Sequence, residues 1–221
     1  MAVLQYLMMG TKSVSRQIIT GDLYMMGNND SGALGTGNTT HAWTDPVQTG
    51  AESDWQNTIL NANSYGGNLA VKSDGTLWAW GSNSAGALGD GSTTNRSSPV
   101  QIGSLTDWSE VATIGTSSSA AIKTDGTLWT WGENSHGQLG DGSKTDRSSP
   151  AQVGSLTDWA HIIPMYVRAT YALKTDGTLW YWGNVNGSNA PETNISSPAQ
   201  CGSASDWTDA WGHGLGSYHF R

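Results

Sequence analysis

An all-β fold made of repeated four-stranded units is predicted for this chain by three observations. First, Asp74-Gly-Thr-Leu-Trp-Ala-Trp-Gly81 returns as Asp125-Gly-Thr-Leu-Trp-Thr-Trp-Gly132 and as Asp176-Gly-Thr-Leu-Trp-Tyr-Trp-Gly183, an interval of 51 residues each time (125 − 74 and 176 − 125). Second, Pro46, Pro99, Pro150 and Pro198 each stand nine positions before an Asp-Trp tryptophan, namely Trp55, Trp108, Trp159 and Trp207. Third, no window keeps apolar residues at helical spacing for long enough, and glycine interrupts nearly every stretch. A period near 50 residues points to β-propellers and related arrays.

The elements follow from one well-preserved repeat. Ser119-Ala-Ala-Ile-Lys123 and Thr127-Leu-Trp-Thr-Trp131 read as strands, the second with large apolar residues alternating with threonine. Between them Asp125-Gly126 supplies a tight hairpin, because the turn needs a positive φ that glycine adopts without a Cβ clash. After Gly132 a polar, glycine-rich stretch to Gly142 reads as a surface loop. Pro150-Ala-Gln-Val153 and Trp159-Ala-His-Ile-Ile163 then supply two more strands, with the proline expected at a strand entrance. Four short strands in about 50 residues make one propeller blade.

Four units are predicted, over residues 4–55, 56–108, 109–159 and 160–207, with a partial closing strand over 208–221, all in one domain. The first unit is worn but keeps the six-residue glycine interval in Gly21-Asp-Leu-Tyr-Met-Met-Gly27. The third motif is followed by a degenerate loop, Asn184 to Ile195, in place of Gly-Asp-Gly-Ser. About four blades are expected, either as a small closed ring sealed by the two ends or as an open arc completed by assembly.

The string from Leu128 to Gly142, followed by Arg147-Ser-Ser-Pro150-Ala-Gln-Val153, resembles the repeat of the regulator of chromosome condensation (RCC1). The resemblance extends from about Gly21 to Trp207, and the tryptophan-rich form is similar to bacterial and bacteriophage versions of the repeat. It implies a propeller of antiparallel blades around a central channel, and it implies work through protein contacts.

Composition narrows the partners. Eighteen acidic against ten basic residues, a net charge of −8, disfavours nucleic acid, whose binding rests on clustered Lys and Arg. No apolar run is long enough to span a membrane, and the start of the chain lacks the basic region of a secretory signal, so virion or cytoplasm is the expected location. The lone Cys201 reads as a small strand residue. His41, His136, His161, His213 and His219 have no metal-ligand or triad spacing, and no phosphate loop or nucleophile elbow is present. Asp90-Gly-Ser-Thr-Thr-Asn95 and Asp141-Gly-Ser-Lys-Thr-Asp146 are faintly similar to a calcium loop in their oxygen spacing, but capped turns explain them. No cofactor, no metal and no enzyme activity are expected.

Trp78, Trp80, Trp129, Trp131, Trp180, Trp182, Trp108 and Trp159 occupy repeat-equivalent positions and are assigned to the core between blades. Trp43 and Trp211 lie outside the scheme and are candidates for contact surface. The segments after each Asp-Trp strand vary from repeat to repeat and should gather on one face, bringing Tyr65, Met165, Tyr166, Arg168 and His213 into a mixed aromatic and cationic surface. Met8, Met9, Met25 and Met26 form a second candidate patch. The expected function is a non-enzymatic protein-interaction or attachment component of a larger assembly, a bacteriophage virion by analogy, with other subunits or copies of itself as partners. The alternatives are a soluble regulator that covers an enzyme or a small GTPase with one face, and a glycan-binding module.

Overall fold

The computed structural model describes residues 21–59, 67–115, 117–163, 168–184, 194–207, 210–213 and 217–220, with the backbone alone for 57–59, 210–213 and 217–220. Among the described residues sixteen strands fall into five antiparallel sheets. Three are complete four-stranded blades. The first joins β3 (Trp55–Ile59), β4 (Gly67–Lys72), β5 (Leu77–Gly81) and β6 (Arg96–Gln101). The second joins β7 (Trp108–Ile114), β8 (Ser118–Lys123), β9 (Leu128–Gly132) and β10 (Arg147–Gln152). The third joins β11 (Trp159–Ile163), β12 (Ala169–Lys174), β13 (Leu179–Asn184) and β14 (Asn194–Gln200). Two-stranded sheets flank them, β1 (Tyr24–Gly27) with β2 (Ala42–Gln48) and β15 (Ala210–His213) with β16 (Ser217–Phe220). Among the described residues no ladder joins the two flanking sheets to each other.

Each blade is a meander whose turns obey local chemistry. In the second, Gly126 N donates to Lys123 O at 2.9 Å and Lys123 N to Thr127 O at 3.0 Å, closing a three-residue hairpin with Gly126 at φ +77°. The Asp125 carboxylate accepts from both the backbone N–H and the hydroxyl of Thr127, and the Trp129 indole donates to that hydroxyl at 2.9 Å. The same relay recurs at Asp74, Thr76 and Trp78 and at Asp176, Thr178 and Trp180. The prolines sit inside the fourth strands, where the ladder shifts register, and not at a strand entrance. A fourth strand is the outer edge of its blade, so a missing N–H there leaves no ladder partner unsatisfied.

The core lies between blades. Neighbouring blades meet mainly through their first two strands, which puts the first strand innermost and the fourth outermost. Apolar clusters accordingly mix residues of adjacent sheets: Leu69, Val71 and Leu77 pack with Trp108, Val111 and Trp131, and Ile114, Ala120 and Leu128 pack with Trp159, Ile162 and Trp182. The fully buried Trp80, Trp131 and Trp182 each donate to a carbonyl of the preceding unit, at Ala33 (3.0 Å), Ala87 (2.9 Å) and Gln138 (2.9 Å). A buried indole satisfied in this way contributes apolar area and also fixes the angle of the next blade. Trp108 and Trp159 are buried as well, whereas Trp78, Trp129 and Trp180 are half-buried. Cys201 is half-buried against Ile163, Leu173 and Leu179.

The polar loops are the second tie between blades. Gly37 N, Gly91 N and Gly142 N donate to Ser97 O, Ser148 O and Ser196 O of the following outer strand, at 2.7, 2.8 and 2.7 Å. Each loop is organised by one buried asparagine. Asn83 Nδ2 faces Asp90 Oδ1, Ser92 O and Thr94 O at 3.0–3.1 Å, and Asn83 Oδ1 accepts from Leu88 N at 2.8 Å. Asn134 repeats the arrangement with Asp141, Ser143, Thr145 and Leu139. The oxygens that suggested a calcium loop therefore surround an amide NH2 group, which takes the place a cation would need.

Candidate interaction surface

Antiparallel order sorts the connections onto two faces. The C-terminal ends of the first and third strands of each blade share one face, the loop face, and the Asp-Gly hairpins share the other with the segments entering each blade.

The hairpin face is set by a repeated lysine box. Lys123 Nζ lies 5.0 Å from the Trp108 ring centroid and 4.4 Å from that of Trp129, with Asp107 Oδ2 at 3.5 Å, and its side chain is only 7% exposed. Lys72 and Lys174 sit the same way between Trp55 and Trp78 and between Trp159 and Trp180, paired with Asp54 and Asp158. The stem is buried and the cation is met by two aromatic faces and a carboxylate, so these lysines are architecture. Hydrogen bonds from the threonine side chains and backbone hold the carboxyls of Asp74, Asp125 and Asp176 below the ordinary carboxylate range. Leu105 and Leu156 stand exposed at matching positions on this face.

The loop face differs from blade to blade. Arg168, predicted as a contact residue, is exposed there, and its Nη1 lies 3.1 Å from His136 Nε2 on the long loop of the preceding blade. His136 Nδ1 lies 2.7 Å from Ser135 Oγ, and Ser135 donates to Glu133 Oε1 at 2.7 Å. The guanidinium can only donate, so Nε2 accepts, the ring proton sits on Nδ1, and the serine proton points to Glu133. A histidine in that tautomer cannot take the serine proton, and the chain is a positioning relay from Arg168 to Glu133. Among the described residues five cations, Lys72, Arg96, Lys123, Arg147 and Lys174, are held in ion pairs with aspartates, whereas Arg168 and Lys144 are in none.

Of the other predicted contact residues, Tyr65, Met165 and Tyr166 lie outside the described residues, as do Met8 and Met9. The backbone places Trp211 and His213 on β15. Trp43 is exposed on β2 and Met26 on β1, while Met25 is buried. Sequence reasoning did not single out Glu110. Its buried carboxylate accepts from Ile162 N of the next blade at 3.0 Å and lies 3.1 Å from His161 Nδ1. The signal was available in the repeats, since Asn57, Glu110 and His161 all stand two places after an Asp-Trp tryptophan and are polar inside a strand.

Comparison with known proteins matches this architecture. The family model described as "Regulator of chromosome condensation (RCC1) repeat" matches residues 74–122 and 125–163, and a second model of the same description matches 109–138. The RCC1 domain-containing protein RUG3, mitochondrial, of Arabidopsis thaliana is 33% identical over 119 residues, covering 52% of this chain and 26% of RUG3. The mouse E3 ubiquitin-protein ligase HERC2 is 28% identical over 173 residues, covering 74% of this chain and 4% of HERC2. The solved structure of Prp20p from Saccharomyces cerevisiae superposes with a TM-score of 0.67 at 17% identity, over 88% of this chain and 50% of Prp20p. The chain thus spans half or less of the length of each of these three proteins. Motif, blade and fold agree: residues 74–122 and 125–163 match the RCC1 repeat model, and they lie in an array folded into propeller blades.

Proposed function

We propose that this chain is a non-enzymatic protein-binding propeller, a regulator module that docks a partner protein on its loop face through Arg168. The observation that carries the reading is the exposed guanidinium of Arg168 at a blade junction. It is held by His136 and lies outside any ion pair among the described residues, where the other described arginines are closed on aspartates. Arginine held in this way is a recurrent anchor of protein interfaces. On a chain of net charge −8 it selects an acidic patch on the partner.

Kinship supports a protein partner. Prp20p binds Gsp1p and histones. RUG3, HERC2 and Prp20p come from plant, mouse and yeast, which favours a cellular regulator over the virion component expected from analogy. The similarity to the ligase HERC2 spans only 4% of that protein. For this chain the non-enzyme reading rests on the Ser135–His136 tautomer.

Calorimetric titration of the purified chain with small GTPases in nucleotide-free and loaded forms tests the proposal. Saturable binding that Arg168→Glu weakens at least about tenfold, with the melting temperature unchanged, is the expected result. Binding that is indifferent to Arg168→Glu, or no binding across the panel, would overturn it.

A further inference from the structure

We propose that Trp43 is the platform of a binding site for a neutral glycan, separate from the protein-docking face. β2 departs from the repeat at this one place. The ladder pairs Gly27 with Ala42 and Met25 with Val47 where the next blade pairs Gly81 with Arg96 and Ala79 with Val100. Between those anchors β2 carries Trp43-Thr-Asp-Pro46, one residue more than Ser97-Ser-Pro99 of β6. An extra residue bulges a strand and re-aims a side chain, and the Trp43 side chain stands outward, 63% exposed.

What surrounds the indole is polar. In the next two blades Arg96 closes on Asp90 and Arg147 on Asp141. Here Ala42 takes the arginine's place in the ladder, and Thr36 takes the aspartate's place, seven residues after the loop asparagine as in Asn83 to Asp90. The ion pair is gone and the His41 ring packs beside Trp43, with centroids 5.3 Å apart and planes at 44°. His41 Nδ1 accepts from Asn29 N at 2.8 Å, which directs Nε2 toward Asp30 Oδ1 at 3.4 Å. Asn28 donates to Asp30 Oδ2 at 2.9 Å, and the Thr44 hydroxyl donates to Asp45 Oδ2 at 3.0 Å.

An indole at the centre of a protein hot spot sits in a well-packed pocket whose surrounding contacts exclude water. This one packs beside the His41 imidazole, whose Nε2 faces the Asp30 carboxylate, and Asp45 stands two residues along the same strand, with the exposed Met26 on the strand paired to β2. A pyranose offers the matching pair of surfaces, with C–H bonds to lie on the indole face and hydroxyls to donate to Asp30 and Asp45. Sulfated and uronic sugars are turned away by those two carboxylates and by a chain charge of −8. In the later blades the matching serines, Ser97 and Ser148, lie under the loop of the preceding blade, whereas here the place is open and carries a tryptophan, a residue suited to a sugar.

Calorimetry with malto-, cello-, xylo- and mannohexaose, and separately with heparin hexasaccharide, tests the site on the full chain. Binding of at least one neutral hexaose is expected, weakened about tenfold or more by Trp43→Ala and several-fold by Asp30→Asn, with both melts unchanged because the side chains are exposed. Heparin should not bind. The proposal falls if no neutral hexaose binds, if Trp43→Ala binds as tightly as the parent, or if Trp43→Ala instead abolishes binding of a protein partner with no sugar effect.

Discussion

Asp141 illustrates how a single side chain is tuned by its loop. Burial pushes its carboxyl up, but hydrogen bonds from Ser143 and Arg147 outweigh that and leave it below the ordinary carboxylate range, and Asp90 is held down in the same way by Ser92, Arg96 and Asn83. A folded pKa below the unfolded value of about 3.9 means that the ionised form favours the folded state. The stabilisation is complete above about pH 4 and is lost as pH falls through the folded values. Thermal melts from about pH 6 to pH 2 should therefore decline below about pH 4, and the Asp90→Asn, Asp141→Asn double variant should start lower and decline less. A parent profile that stays flat to pH 2 would refute this account of the loops. The roles of these two aspartates were legible early, as capped turns, but the asparagine at the centre was not. Its partners come from seven to eleven residues away along the loop, and only the folded loop brings these oxygens round one amide.

At the scale of the element, the Asp-Gly hairpins join local turn chemistry to blade spacing. Gly126 and Gly154 both have positive φ, +77° and +62°, yet a Cβ at Gly126 would overlap Thr157 O whereas one at Gly154 meets nothing within 4 Å. Gly154→Ala should cost about 1 kcal/mol, the left-handed backbone term alone. Gly126→Ala should cost roughly 2 kcal/mol or more, because the hairpin must also move off the segment entering the next blade. Urea midpoints of the two variants measure the difference, and equal midpoints would show that the close approach carries no energy. The strands themselves follow from alternation and turn residues, so the four-strand unit was legible. The depth of proline within the fourth strand was not, because local sequence does not reveal which strand is the outer edge.

For the molecule as a whole, stability is carried by junctions. Each blade contacts its neighbours through an indole, a loop glycine and, at the second junction, the Glu110 carboxylate on Ile162 N, so coupling runs blade to blade as in other repeat arrays. Glu110→Ala leaves that N–H buried without its acceptor and should cost roughly 2 kcal/mol, while Glu110→Gln keeps an acceptor oxygen and should cost less. Hydrogen exchange should rise in β12 before β4 in the alanine variant, and a uniform rise in both strands would contradict junction-by-junction coupling. Spacing, turn residues and the repeated tryptophans were enough by themselves to determine the all-β class, the blade unit and its inter-blade core, since a residue required in every repeat must answer to the contact every repeat shares. The tertiary structure alone decided that Lys72, Lys123 and Lys174 lie between indoles, that Arg168 meets His136 across a junction, and that one extra residue turns Trp43 outward. Those outcomes depend on which neighbour a side chain meets in space, and that neighbour is supplied by the next blade and not by the next residue.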